Sequence, residues 1–545
     1  MQSNSSCRWW RTSCGWLGLF VLGNSLMVAP QTLAQENPSA SDGRLIESLK
    51  SYIPHVMHEH HTPGLNIALA RRGKVIWEEG FGYSDLEKKT PMTEQTVMHS
   101  GSMGKTYTAT AVMQLVEQGT IGLYDPINKY LKDFKVINPR GEREITFYDL
   151  LTHRSGLGED AAGSEFAVPE PLSEYLKAMY ARSGFPPYKG TAWPVWKAKV
   201  GEKFEYSNLG VATLGYLVQI TNPEHLSFSE YVQKHIMDPL GMKSSQFPPV
   251  QDAGHVRSEI FARLSRGYAD FGGVQVPTPT VYFAEYPAGT VVTTPGDHIR
   301  LLLAYLNGGS YNGYQLLKPE TVRQMLTPQV SLNAPENPQA RLGGNHLGLV
   351  WFLFNVGKPT YSFGHGGAHM FGWMNEFLAF PDQDFALVVA TNHWPMNDTS
   401  SLDETTLIAQ FITKWLRSEK LNLHRIQPVH SWAWKTSYVI GLMMGDRLQG
   451  GLGIDNPLTA EAIEAMARGT RVAPEVDSNS LWDKDGFRVG VEDILQVERT
   501  PDAIRSFMES DRLKVAPEEL EMLHRDVGGR GVMLPWPLAV PPAND

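Results

Sequence analysis

Apolar residues along this chain recur with two periods, and the order in which the periods alternate outlines a fold. From Leu45 to His61 the apolar positions keep helical spacing and predict a helix. Leu65-Asn66-Ile67-Ala68-Leu69-Ala70 then alternates, meets a turn at Arg72-Gly73-Lys74 and resumes at Val75-Ile76-Trp77, which is a β-hairpin signal. Helical spacing returns from Met103 to Gln118 and stops at Gly119. Leu209 to Ile220 predicts another helix, and Ile299 to Leu306, ended by Gly308-Gly309, a third. Late in the chain Asn375 to Phe380 and Phe385 to Ala390 read as strands, with Pro381-Asp382 in the turn between them. Strands near both ends with helices between them predict an α+β domain whose sheet is closed by distant segments.

Two composition shifts bound that domain. At the N-terminus Arg8 and Arg11 precede a largely apolar stretch, Gly15 to Pro30, and Thr32-Leu33-Ala34 ends in a small residue. This is the layout of an export signal, with cleavage expected near Ala34. The stretch is short for a membrane span and is interrupted by Gly23, Asn24 and Ser25. After about Ser418 the strand signals fade: Thr459 precedes a helical run to Ala467, Thr500 precedes Pro501 as cap and first helical residue, and Pro517 to Arg525 is followed by Gly528-Gly529. The expected organisation is a signal peptide over 1–34, the α+β domain over 35–418 and a mainly α-helical extension over 419–545.

Composition narrows the chemistry. The only cysteines, Cys7 and Cys14, fall in the signal segment, so a cleaved protein has no disulfide, thiolate metal site or cysteine nucleophile. A net charge of -10 argues against a nucleic-acid partner.

Ser102-Met103-Gly104-Lys105 is the sole Ser-x-x-Lys of the chain. On a helix, positions i and i+3 share a face, so the lysine can reach the serine hydroxyl. Serine attacks only once a base takes its proton, and a lysine serves when burial or a nearby cation favours its neutral form. The pattern alone is better explained by a solvated helix face, so its company matters. Tyr206-Ser207-Asn208 precedes a predicted helix: the tyrosine could relay a proton and Asn208 could hold a substrate amide, or the stretch could be a plain Asx-type turn. Tyr305-Leu306-Asn307 has the same form but sits at a helix end capped by glycines and is set aside. His365-Gly366-Gly367 precedes the C-terminal strands, where two glycines permit close approach of backbone to a ligand or make a simple turn.

In this order the three motifs resemble those of the class C β-lactamase-like serine hydrolases, a family of β-lactamases, DD-peptidases, D-aminopeptidases and esterases marked by Ser-x-x-Lys, Tyr-x-Asn and Lys/His-x-Gly. Roughly residues 45 to 415 are covered, with supporting likeness at Pro63-Gly64, Asp125-Pro126, the segment Leu150-Leu151-Thr152-His153-Arg154-Ser155-Gly156-Leu157, and Asp238-Pro239-Leu240-Gly241-Met242. The resemblance implies a β-lactamase/transpeptidase-like fold: an antiparallel sheet flanked by helices, plus an all-α subdomain. It also implies an acyl-enzyme on Ser102, proton traffic shared by Lys105 and Tyr206, and an oxyanion hole from the backbone N–H groups of Ser102 and Ala368. Asn208, His365, Gly366 and Gly367 would bind substrate, with no metal or organic cofactor.

Departures steer the substrate. β-Lactamases carry lysine where this chain has His365, which is mostly neutral at pH 7 if unperturbed. That favours a peptidase or esterase on a small peptide-like or ester substrate. Gly-x-Ser-x-Gly is absent, because Ser100 stands at its first glycine position, so an α/β-hydrolase fold is not indicated. Thr290 and Arg154 also differ from common patterns of the family. One relative in that family is the exported serine peptidase of bacterial microcystin breakdown, although no residue here identifies a linearised microcystin as substrate. An inactive penicillin-binding-like protein is the reading from another class, and the retention of Ser102, Lys105 and Tyr206 argues against it. The expected location is periplasmic or secreted, with no membrane span once the signal is removed.

Three further groups invite sharper readings than they support. His55, His58, His60 and His61 could hold a metal, but their spacing fits no common site, and cations at a helix C-terminus are favourable by themselves. Asp483-Lys484-Asp485-Gly486 with Glu492 imitates a calcium loop but puts Leu481 at its first ligand position. Trp432, Trp434 and Tyr438 read as docking residues of the extension, while Trp373 and His369 could line the pocket or simply fill the core.

Overall fold

The computed structural model describes residues 39–420 apart from 159–163, 166–170, 182–195, 280–281, 333–343, 358–360, 370–371 and 397–402. The signal segment, the calcium-like loop, the aromatic group at 432–438 and nearly all of the extension lie outside the described residues. The central feature is a nine-stranded sheet. In chain order its strands are β1 (Gly64–Arg71), β2 (Lys74–Asp85), β3 (Thr90–Pro91), β4 (Val330–Ser331), β5 (Gly344–Leu347), β6 (Phe352–Phe354), β7 (Ser362–His369), β8 (Trp373–Phe380) and β9 (Phe385–Thr391). Their spatial order is β4-β5-β6-β7-β8-β9-β1-β2-β3. The N-terminal hairpin therefore closes the sheet against the last strand, with Leu65 opposite Thr391 and Arg71 opposite Phe385 in antiparallel register.

Alternation along these strands sorts side chains onto two faces. Leu65, Ile67 and Leu69 of β1 join Leu387 and Val389 of β9 in one apolar cluster. That face is covered by α1 (Ala40–Glu59) and by the helix Glu404–Lys420, which pack on each other as well as on the sheet. Ala68, Ala70, Ala379 and Ala386 look the other way, toward α2 (Gly104–Glu117), α3 (Asn208–Thr221) and α4 (Pro295–Leu306). The small alanines let α4 lie close across β1, β8 and β9. α3 packs against α2 and against the shorter helices Phe147–Leu151, Leu172–Ala181 and Phe228–Val232, giving the helical layer expected beside the sheet.

The last helix, α5, is Glu404–Lys420. Two helix starts come earlier than periodicity alone predicts, because caps decide them. Ser39 Oγ accepts the Asp42 N–H at 3.1 Å while the Asp42 carboxylate accepts the Ser39 O–H at 2.6 Å, so α1 begins at Ala40 rather than Leu45. Thr294 Oγ1 accepts the Asp297 N–H at 3.2 Å ahead of Pro295, so α4 begins at Pro295 rather than Ile299. A larger correction concerns His365-Gly366-Gly367. These residues lie inside β7, paired with Phe377, Glu376 and Asn375 of β8, and do not form a turn ahead of the strands. Backbone hydrogen bonding to β8 overrides the weak strand propensity of two glycines.

Leu387 is fully buried in the middle of β9, opposite Leu69 and Leu378. Leu387→Ala is expected to lower the unfolding free energy by about 2–5 kcal/mol in urea titration. A loss below about 1 kcal/mol would mean that this face of the strand is not close-packed.

Candidate active site

Ser102 lies in the one-turn 3-10 helix Gly101–Met103, which runs directly into α2. That geometry eclipses residues three apart and sets Lys105 over Ser102. Lys105 Nζ is hydrogen-bonded to Ser102 Oγ at 2.9 Å and donates to the Ala288 carbonyl at 2.9 Å. Lys105 is wholly buried, whereas Ser102 is half-buried. α2 is an unusual carrier for such a pair, since every residue from Gly104 to Leu115 is buried. Its threonines satisfy their hydroxyls locally: Thr106 donates to Met103 O at 2.8 Å, Thr108 to Pro287 O at 2.6 Å and Thr110 to Thr106 O at 2.7 Å. The helix is thereby locked, and Ser102 with it.

Backbone holds Ser102 on two sides. Ser100 N–H donates to Val291 O at 2.9 Å, and Met98 and His99 pair with Thr293 and Val292. On the other side passes β7. Gly101 has a φ of 56°, and a Cβ placed there would lie 2.5 Å from Ala368 O and 2.6 Å from Ala368 N. A Cβ on Gly367 would lie 2.0 Å from Ser100 O. Both glycines are required by this backbone-to-backbone contact. It brings the chain at Ser102 beside Ala368, the two residues whose N–H groups were expected to form an oxyanion hole. Ala368 is the single exposed residue in an otherwise buried β7, so the strand opens to solvent at that point. Among the described residues β6 pairs with β7 at Ser362–Gly364, short of the His365–Ala368 stretch.

Tyr206 arrives from the segment before α3, where Ser207 is the N-cap and its Oγ accepts the Gly210 N–H at 3.0 Å. Lys105 Nζ sits 4.9 Å from the Tyr206 ring centroid. His153 stacks on the other part of that ring at 4.7 Å, and the His365 ring lies at 6.3 Å. Asn208 is the first residue of α3, half-buried beside them. The fold thus brings Ser102, Lys105, Tyr206, Asn208 and the His365–Ala368 stretch to one locus, as the motif order led one to expect.

His365 is 1% exposed, with its ring edge-on to Phe352 at 5.0 Å. Its Nδ1–H donates to Gly366 O at 2.5 Å, which leaves Nε2 as the bare nitrogen. Burial first, and the Lys105 ammonium second, push its pKa down to about 3. The imidazole is therefore neutral throughout the physiological range. His153 is likewise held well below its usual value, by burial and then by Lys105 and His365.

Other residues singled out in the sequence fall into place as framework. Trp373 is 4% exposed, packs on His99 and donates its indole N–H to Ser265 Oγ at 2.9 Å, so it fills the core behind β7. His369, also buried, completes that ring cluster. Thr290 is buried and donates to Pro248 O at 2.5 Å, and Arg154 bonds Gly201 O. Tyr305 packs on Trp351 in the core, consistent with setting its motif aside. The four N-terminal histidines do not converge: His58 faces Glu59, and His61 Nδ1 lies 3.7 Å from Asp270. Sequence reasoning had no means of placing the Ala288 carbonyl or the His153 ring at the site.

Residues 49–410 match the family model described as Beta-lactamase. The chain belongs to the Beta-lactamase family. The protein flp of Staphylococcus aureus strain MW2 is 31% identical over 202 residues, a stretch that covers 37% of this chain and 38% of flp. This chain therefore spans well under half the length of the flp proteins it matches. Among solved structures, D-amino acid amidase from Ochrobactrum anthropi SV3 superposes with a TM-score of 0.56 at 20% identity, covering 70% of this chain and all of the amidase (100%). EstCE1, a hydrolase with promiscuous acyltransferase activity, gives 0.54 at 19% identity over 68% of this chain and 99% of its own. At these identities the likeness is one of fold: the amidase and EstCE1 share the architecture of this Beta-lactamase family member.

Two outcomes follow from the site. Gly101→Ala must strain a left-handed backbone and press on Ala368, so hydrolytic activity should fall by about a hundredfold or more while the protein still folds. Wild-type turnover would contradict the close contact. His298, bonded through Nδ1 to Tyr107 Oη at 2.8 Å, is pushed down to about 3 by burial, as is His365. As pH falls below the unfolded value of about 6.5, the unfolded chain gains protons that the folded chain refuses, so stability is full above that pH and lost on acidification. His298→Gln should flatten the slope of unfolding free energy between pH 6 and 4 by about 1.4 kcal/mol per pH unit. An unchanged slope in urea titrations would mean that His298 is already charged in the folded protein.

Proposed function

We propose that the protein is an exported serine hydrolase that forms an acyl-enzyme on Ser102 and cleaves an amide bond in small peptide-like substrates. The observation that carries this reading is the 2.9 Å hydrogen bond between Lys105 Nζ and Ser102 Oγ, made by a buried amine at the mouth of a rigid helix. A lysine held against the serine hydroxyl in this way is placed to take its proton. In the proposed reaction Lys105 Nζ takes the Ser102 hydroxyl proton and Oγ bonds to the substrate carbonyl carbon. The oxyanion is held by the N–H groups of Ser102 and Ala368. The proton passes through Lys105 and Tyr206 to the leaving nitrogen, the C–N bond breaks and the amine departs. Water then attacks the ester carbonyl, giving its proton back to Ser102 Oγ by the same route and releasing the acid.

The neutral His365 bears on the substrate. Where a lysine would offer a fixed positive charge, this site offers an uncharged imidazole. A substrate carboxylate at that position gains nothing from it, which lowers the β-lactamase and DD-peptidase readings. A carboxylesterase is the second reading, favoured by the same observation, since esters need no cation there. Linearised microcystin-type peptides fall within the proposed amide class. Export rests on the N-terminal signal pattern; among the described residues no helix is long and apolar enough to cross a membrane.

Time-dependent labelling by a fluorophosphonate, abolished in Ser102→Ala, is the expected outcome for the purified protein. Hydrolysis of D- and L-amino-acid peptides should then exceed that of nitrocefin by about a hundredfold or more in kcat/KM. Failure of folded protein to label would put a non-catalytic binding role ahead. Rapid nitrocefin turnover would overturn the low place given to β-lactams, and esters turned over far faster than any peptide would favour the carboxylesterase.

A further inference from the structure

His153 has a left-handed backbone, φ 50°, which a non-glycine residue adopts at a cost of about 1–3 kcal/mol and keeps only where its surroundings enforce it. The surroundings here are the strand-like run leading to α3. Gly156 O accepts the Lys197 N–H at 2.8 Å, Arg154 O accepts the Gly201 N–H at 2.7 Å and His153 O accepts the Glu205 N–H at 2.8 Å. The last rung is made by a side chain: His153 Nδ1 accepts the Ser207 N–H at 3.2 Å. Between those two amides lies Tyr206, and the imidazole stacks on its ring at 4.7 Å with an interplanar angle of 29°. One buried residue therefore holds the amide before Tyr206, the amide after it and the phenol ring itself.

We infer that His153 is a positioning residue for Tyr206, clamping the phenol against Lys105 by a ring stack and by two hydrogen bonds to the flanking amides, one accepted by its carbonyl and one by its Nδ1. The inference rests on the reading of Tyr206 as the proton relay. Because Nδ1 accepts, the ring proton resides on Nε2, and Nε2 makes no hydrogen bond to the described residues. The carbonyl and Nδ1 of His153 are thus directed to the residues flanking Tyr206, while its N–H donates to Leu150 O at 3.2 Å. The ring must also stay neutral, since an Nδ1–H would oppose the Ser207 N–H; burial and the nearby Lys105 keep it so.

The test separates the stack from the hydrogen bond. His153→Asn tolerates the left-handed backbone and retains an acceptor but has no ring, while His153→Phe retains a ring but no acceptor. Each is made alone and with Tyr206→Phe in the full chain. Hydrolysis of p-nitrophenyl butyrate is measured per Ser102 site titrated to completion with a fluorophosphonate, so that only folded molecules count. Each single variant should lose about tenfold to a hundredfold in kcat with little change in KM. In the Tyr206→Phe background the same substitutions should cost less than about threefold, because a residue acting through Tyr206 has nothing left to position. Wild-type kcat in both single variants would overturn the inference, and so would full losses repeated on top of Tyr206→Phe. If Tyr206→Phe alone keeps wild-type kcat, it is the relay reading that fails.

Discussion

The site depends on a contact between two stretches of main chain. Gly101 lies against the Ala368 backbone and Gly367 against Ser100 O, at separations that no side chain could share. Everything chemical is registered to that contact. Ser102 follows Gly101 directly, and Ala368 is where the buried strand opens to solvent. The N–H groups expected to meet a developing oxyanion thus belong to segments that cannot drift apart, since one is fused to a fully buried helix and the other is the seventh strand of the sheet. Preorganisation of this kind is what lets backbone dipoles favour a charged intermediate without rearrangement.

The second constraint is electrostatic. Lys105 is surrounded by a hydroxyl, a carbonyl and the Tyr206 ring, and the two imidazoles within its field are both held neutral by burial. In a medium of low effective dielectric, a second cation beside Lys105 would be costly. Neutral histidines avoid that cost and still supply hydrogen bonding and ring surface. The depth at which His365 is buried is what leaves the third motif without a charge.

How much of this was legible depended on the range of the interaction. The hairpin of β1 and β2, the helix after Ser102 and the strands β8 and β9 were readable because period and turn residues act within a few positions. The starts of α1 and α4 were not read from periodicity, since Ser39 and Thr294 decide them by single capping hydrogen bonds. The short strands β4 to β6 carry too few residues to show a period and exist by pairing with β7 and with each other. Gly366 and Gly367 read locally as a turn, whereas their strand conformation comes from β8. Trp373 and His369 were ambiguous between pocket and core until the His99 ring was seen beside them.

By itself the sequence determined the chemical inventory and its order: a serine with a lysine one turn on, a tyrosine before a later helix, and a histidine with two glycines near the end. It also determined the α+β alternation, because hydrophobic period is a local property. Only the tertiary structure decided that these pieces meet, that Lys105 bonds Ala288 O, that His365 is buried deeply enough to be neutral, and that His153 grips the residues around Tyr206. The physical reason is that burial, close backbone approach and pairing between strands distant in sequence are properties of the packed chain. No window of consecutive residues carries them.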